Sequence, residues 1–150
     1  MNPKSALLIV DVQLDFCPGG ALPVPDSDKI IPVLNKYIKL FSRQQLPIFA
    51  SRDWHSRQIK HFKQFGIASL FVGGLATDYC VKWTVMDALK FGYKVTLLLD
   101  AIKGVNIKPR DSEVAFDEMI GLGSQKTTFE KLYKAMADNS ETFHKKGGKN

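Results

Sequence analysis

LFVGGLATDYCV, residues Leu70–Val81, is the stretch that decides the fold. Leu70, Phe71 and Val72 form a short apolar run, Gly73 and Gly74 punctuate it, and from Val81 onward apolar residues recur at helical spacing. The segment therefore reads as strand, tight turn, helix. Cys80 falls at the N-terminus of that helix, where unpaired backbone N–H groups and the positive end of the helix dipole stabilise a thiolate. The same N–H groups can hold an oxyanion. An elbow of this kind presents a nucleophile at the C-terminal edge of a sheet. On position alone, burial as a small apolar side chain competes evenly with that reading of Cys80.

Outward from this element, Ala6–Val10 (ALLIV) is a continuous apolar run, as expected of a parallel strand buried on both faces. Asp11 and Asp15 follow it directly, at the kind of strand end that borders the ligand crevice of an open α/β sheet. Asp11 is a candidate base, and a loop carboxylate that bonds nearby backbone is the plainer alternative. Pro18-Gly19-Gly20 makes an irregular connection. Ser27 or Asp28 can then cap a helix whose apolar face is Ile30, Leu34, Tyr37, Ile38 and Phe41, with Pro32 in its first turn. PIFAS, Pro47–Ser51, is a second strand leading into Arg52-Asp53-Trp54-His55. Side chains at i and i+2 of an extended chain point the same way, so Asp53 and His55 can converge on one cation, with His61 closing the set. One carboxylate and two imidazoles suit Zn, Fe or Mn. Alone, His61 reads more simply as a surface residue, and Trp54 reads as packing.

Beyond Cys80 a helix is expected to about Phe91, with Gly92 as its stop, and then a buried strand over Lys94–Leu99. Asp100 at its edge reads as a residue that orders loops. A last helix opens at Asp111 or Ser112 and stops near Gly121-Leu122-Gly123, and a TTF segment follows as an edge strand. Strands alternating with helices indicate a doubly wound, Rossmann-like parallel sheet flanked by helices.

With 150 residues, 45% of them hydrophobic, the chain is expected to be one domain over residues 1–135, followed by a basic, flexible tail at 136–150. Two cysteines, Cys17 and Cys80, without an apolar leader favour a reducing compartment, here the cytoplasm. No apolar run approaches the length of a bilayer span. The net charge of +6 owes half its excess to Lys145, Lys146 and Lys149 in a glycine-rich, aromatic-poor end, so nucleic acid ranks last among partners.

Three blocks together resemble the nicotinamidases of the isochorismatase-like cysteine hydrolases. They are DVQLDFCPGGAL at Asp11–Leu22, SRDWH at Ser51–His55 with His61 beyond it, and VGGLATDYCV at Val72–Val81. The resemblance covers about Ala6 to Phe129, broken once. It implies hydrolysis of nicotinamide to nicotinate and ammonia through a cysteine thioester, in pyridine nucleotide (NAD) salvage. Cys80 then matches the nucleophile and Asp11 its proton-transferring partner. The backbone N–H groups of Ala76 and Cys80 match the oxyanion hole, with a cis peptide expected at Leu75–Ala76. Phe16 and Tyr79 fall at the substrate pocket, and Asp53, His55 and His61 fall on metal positions.

In these enzymes a long stretch between His61 and the cysteine strand carries a further metal histidine, a pocket aromatic, the catalytic lysine on its own strand, and a covering helix. Here only the eight residues Phe62–Ser69 stand there, and they contain no histidine. At about 30 residues per strand-plus-helix unit, one to two units are missing. The resemblance thus implies a weakly held divalent metal and a much reduced rate. The competing reading, from another class, is a non-catalytic remnant or splice product that acts by binding or by pairing with another subunit. An isochorismatase-type reaction on an ether is disfavoured by the retained DWH positions. Self-association is left open.

Overall fold

The computed structural model describes residues 1–52 and 62–146. Five strands, β1 (Ser5–Val10), β2 (Ile48–Ala50), β3 (Ser69–Leu75), β4 (Lys94–Lys103) and β5 (Gln125–Thr127), form one parallel sheet in the order β2-β1-β3-β4-β5. The expected doubly wound sheet is present, and the two apolar runs that define it are neighbours, with Leu8 opposite Val72 and Val10 opposite Gly74.

Successive residues of a strand face opposite sides, so a run without alternation must be covered on both. Ala6, Leu8 and Val10 of β1 join Leu70 and Val72 of β3 and Val95 and Leu97 of β4 in one apolar cluster. Val85 and Ala88 of helix α2 (Lys82–Lys90) and Met119 of helix α3 (Asp111–Gly121) close that cluster. On the other face Leu7, Leu75 and Leu98 meet Leu34, Tyr37 and Phe41 of helix α1 (Ile31–Arg43). Phe129 and Leu132 of helix α4 (Phe129–Lys146) complete that side. Helix α4 carries across position 135, where the sequence reading ended the domain.

Several element boundaries depart from the sequence reading: the edge strand is Gln125–Thr127 and not Thr127–Phe129, since Phe129 opens α4, and β3 runs through Gly73 and Gly74 to Leu75. The chain around Ser27 forms a short 3-10 turn, Ser27–Ile30, before α1 begins, and neither Ser27 nor Asp28 caps the helix through its side chain. Strand β2 keeps only the middle of PIFAS, because Pro47 has no N–H for a ladder. Strand β4 does not stop at Leu99 but runs to Lys103, and its pairing with β3 slips between Val72 and Gly74. Asp100 lies inside this irregular stretch, and both its oxygens are engaged. Tyr37 Oη donates to Oδ1 at 2.9 Å and the Phe129 N–H donates to Oδ2 at 2.9 Å. The carboxylate ties α1 and the first residue of α4 to the sheet, an ordering role that acts on helices and not on the loops expected. Burial, and then the bond to Asp100, hold the Tyr37 hydroxyl well above its ordinary pKa, so it stays a donor. Replacing Asp100 by alanine strands both donors and is expected to cost about 2–4 kcal/mol. Asp100→Asn, which keeps one acceptor, should cost less. Urea unfolding reads the difference, and an unchanged midpoint for Asp100→Ala would show that the two bonds add nothing net.

Candidate active site

The site is set where β1 and β3 end side by side. Gly74 has φ +130°, and a Cβ there would overlap the Val10 carbonyl and lie 2.6 Å from the Val10 nitrogen. Only glycine allows the two backbones to meet this closely. The chain then leaves β1 through Asp11 and leaves β3 through Leu75–Ala76, from the same sheet edge. The Leu75–Ala76 peptide is cis, as the resemblance implies.

Asp11 is 2% exposed and its backbone is left-handed, φ +46°, a conformation that aspartate adopts more readily than most residues. Ser51, the first residue past β2, meets it twice. The Ser51 hydroxyl donates to Asp11 Oδ1 at 2.6 Å and accepts from the Asp11 N–H at 3.2 Å. Ser51 is itself fixed by its own N–H, which donates to the Ile9 carbonyl at 2.9 Å. Sequence reasoning assigned Ser51 no role. A signal existed, since the period-two spacing that groups Asp53 with His55 begins at Ser51.

Past Ala76 the chain does not enter an ordinary α-turn. Residues Thr77–Val81 form one wider, π-type turn that runs directly into α2. The Ala76 carbonyl accepts from the Tyr79 N–H and from the Val81 N–H, both at 3.0 Å. Cys80 lies between those two donors, four residues into the helical run rather than at its first position. Such single π-turns are over-represented at functional sites. Cys80 is partly buried and packs against the α2 side of the core, while Tyr79 beside it is 43% exposed. Phe16 closes a short 3-10 turn, Leu14–Phe16, and is partly buried against the opposite, α1-side cluster that also holds Ala76. The structure thus brings Asp11, Ala76 and Cys80 to one sheet edge, and seats Phe16 and Tyr79 in different surroundings.

Asp78 is a second residue that the sequence reading passed over. Its Oδ1 accepts from the Val105 N–H at 2.9 Å and its Oδ2 from the Asn106 N–H at 2.7 Å. The loop after β4 is thereby held against the cysteine turn. Gly104 permits that approach, because a Cβ there would overlap Ser112 Oγ and lie 2.9 Å from Asp78 Oδ1. A cleft of about 580 Å³ opens on this flank between Asp26, Thr77, Lys103, Ser112 and Phe116. Neither Asp11 nor Cys80 lines it, and nothing in its lining favours it over the sheet edge as the place of chemistry.

Asp53, His55 and His61 lie outside the described residues, and among the described residues no group of three metal-binding side chains occurs. The donor set fits a borderline divalent ion by chemistry alone: two imidazoles and a carboxylate suit Zn, Fe or Mn.

Comparison with known proteins agrees with the geometry. The Isochorismatase domain matches residues 59–131. The nicotinamidase of Escherichia coli K12 is 31% identical, with 81% of this chain and 93% of the relative aligned. That alignment takes 199 positions, more than the 150 residues of this chain, so the relative carries residues with no counterpart here. The solved pyrazinamidase of Pyrococcus horikoshii, a complex with zinc, superimposes with a TM-score of 0.78 at 34% identity, over 85% of this chain and all of that one. A cysteine hydrolase from Pseudomonas syringae pv. phaseolicola has the same fold, with a TM-score of 0.80 at 16% identity over 92% of this chain and 95% of that one.

Proposed function

This chain belongs to the isochorismatase-domain hydrolases, and from that premise we propose that it is an amidohydrolase cleaving nicotinamide to nicotinate and ammonia through a thioester on Cys80. The observation that carries the reading is the shared edge of β1 and β3, from which Asp11 and the cysteine turn both emerge. In the proposed reaction Asp11 takes the proton of the Cys80 thiol, and Sγ forms a bond to the carboxamide carbon. The oxyanion is held by the Ala76 and Cys80 N–H groups. The C–N bond then breaks, the proton passes from Asp11 to the leaving nitrogen, and ammonia departs. Water activated by Asp11 splits the thioester, giving nicotinate and returning the thiol. Phe16 is assigned to the lining of the pyridine pocket and Tyr79 to its rim beside Cys80. Ammonia release from nicotinamide, compared between this chain and a variant without the Cys80 thiol, tests the assignment.

We place the segment that relatives have and this chain lacks between His61 and Leu70. It would include the lysine that normally sits beside thiol and carboxylate, so turnover here is slow. Asp53, His55 and His61 would hold a divalent ion, which when bound polarises and orients the substrate. With a further histidine missing, three ligands should hold it weakly. After dialysis, metal analysis is expected to find substoichiometric Zn, Fe or Mn, and a full equivalent retained against a chelator would show that the three ligands suffice. Cytoplasmic placement and a role in pyridine nucleotide salvage complete the proposal. No described helix is long and apolar enough to cross a membrane.

A further inference from the structure

We propose that Ser51 is a positioning residue that sets the carboxylate of Asp11 for proton transfer, an inference that rests on the reading of Asp11 as the proton-transferring group. One hydroxyl serves both ends of Asp11, donating to Oδ1 at 2.6 Å and accepting from its backbone N–H at 3.2 Å. These two bonds fix different variables. The bond to Oδ1 selects the side-chain rotamer, and the bond from the N–H holds the left-handed backbone turn at φ +46°. The hydroxyl is anchored in turn, because Ala50 pairs with Ile9 and the Ser51 N–H donates to the Ile9 carbonyl at 2.9 Å. A rigid ladder of two parallel strands therefore ends in a clamp on the carboxylate.

The clamp matters because Asp11 has to move one proton between two partners, from sulfur to the departing nitrogen. A carboxylate that rotates away spends less time in reach of either, and misplacement by about 1 Å can cost on the order of 10²-fold in rate. Binding of the amide does not depend on the carboxylate's orientation in the same way, so the loss belongs in kcat and not in KM.

The experiment is ammonia release from nicotinamide by the full chain at enzyme concentrations high enough to follow slow turnover. Ser51→Ala and Ser51→Val are expected to lower kcat by about 10- to 100-fold at unchanged KM. Ser51→Thr, which matches valine in shape but keeps the hydroxyl, should restore most of the rate. Valine and threonine fill the same volume, but valine leaves the Asp11 Oδ1 and N–H without this partner, so the urea midpoint of each variant is read beside its rate and rates are compared where each is fully folded. Equal rates for Val and Thr, or a loss that resides in KM, would overturn the inference while leaving Asp11 in place. Full activity of Asp11→Asn, or no Cys80-dependent release from the parent chain, would instead remove the reading beneath it.

Discussion

Cys80→Ala should release ammonia from nicotinamide no faster than the buffer, while the parent chain turns over slowly and Cys17→Ala is indistinguishable from the parent. The asymmetry between the two cysteines follows from their surroundings. Cys17 ends a three-residue 3-10 turn in an extended conformation, φ −94° and ψ 165°, with no long helix behind it. Cys80 stands in a π-type turn that continues into the nine residues of α2, and the greater reactivity proposed for it is assigned to that helix start. Removing a nucleophile abolishes the covalent route and leaves only what binding and the oxyanion site supply, a loss on the order of 10⁶-fold where the remaining machinery is complete. Here the parent rate is lower, so the visible loss is limited by background. Iodoacetamide labelling resolved by residue gives an independent reading, with Cys80 alkylated faster than Cys17. Ammonia release that survives in Cys80→Ala would place the chemistry elsewhere in the molecule.

Most of the sheet could be read in the sequence because parallel strands buried on both faces advertise themselves as unbroken apolar runs, and ALLIV and LFV do so. Strand β4 shows where that signal stops. Its continuation through Asp100 to Lys103 depends on a slipped register against β3 and on two donors, Tyr37 and Phe129, distant in the chain, so KVTLLL alone predicts an end at Leu99. The paired glycines read as the turn itself, whereas β3 runs through both to Leu75 and Gly74 serves the close approach to Val10 instead. Ser51 and Asp78 were illegible as parts of the site. A serine after a strand and an aspartate in a helix's first turn have ordinary roles, and only the fold brings Asp11 and the Val105–Asn106 amides to them.

Inserting the stretch of the Escherichia coli relative that lacks a counterpart here, between His61 and Leu70, is expected to raise kcat/KM for nicotinamide by about 10²–10⁴-fold, the range of general acid–base assistance. Metal content should rise to a full equivalent. The sheet does not need the insertion. Strand β2 ends at Ala50 and β3 begins at Ser69, with β1 between them, so residues 51–68 must cross two strand spacings, roughly 10 Å. A crossover of a dozen or more residues suffices for a parallel pair. The described end of the link packs on the sheet: Phe62 is 9% exposed, stacks on Phe49 of β2 with ring centroids 4.5 Å apart, and meets Tyr93 edge-on at 6.4 Å. The parallel sheet is thus formed in this chain, and the loss proposed for the missing segment is one of chemistry. A lysine ammonium beside a thiol and a carboxylate stabilises the thiolate and helps carry the proton, which is the contribution the insertion is expected to restore. The insertion should accordingly change rate and metal occupancy far more than the urea midpoint. If the 150-residue chain already hydrolyses nicotinamide as fast as its inserted form, the segment is dispensable and the remaining residues are a complete catalytic set.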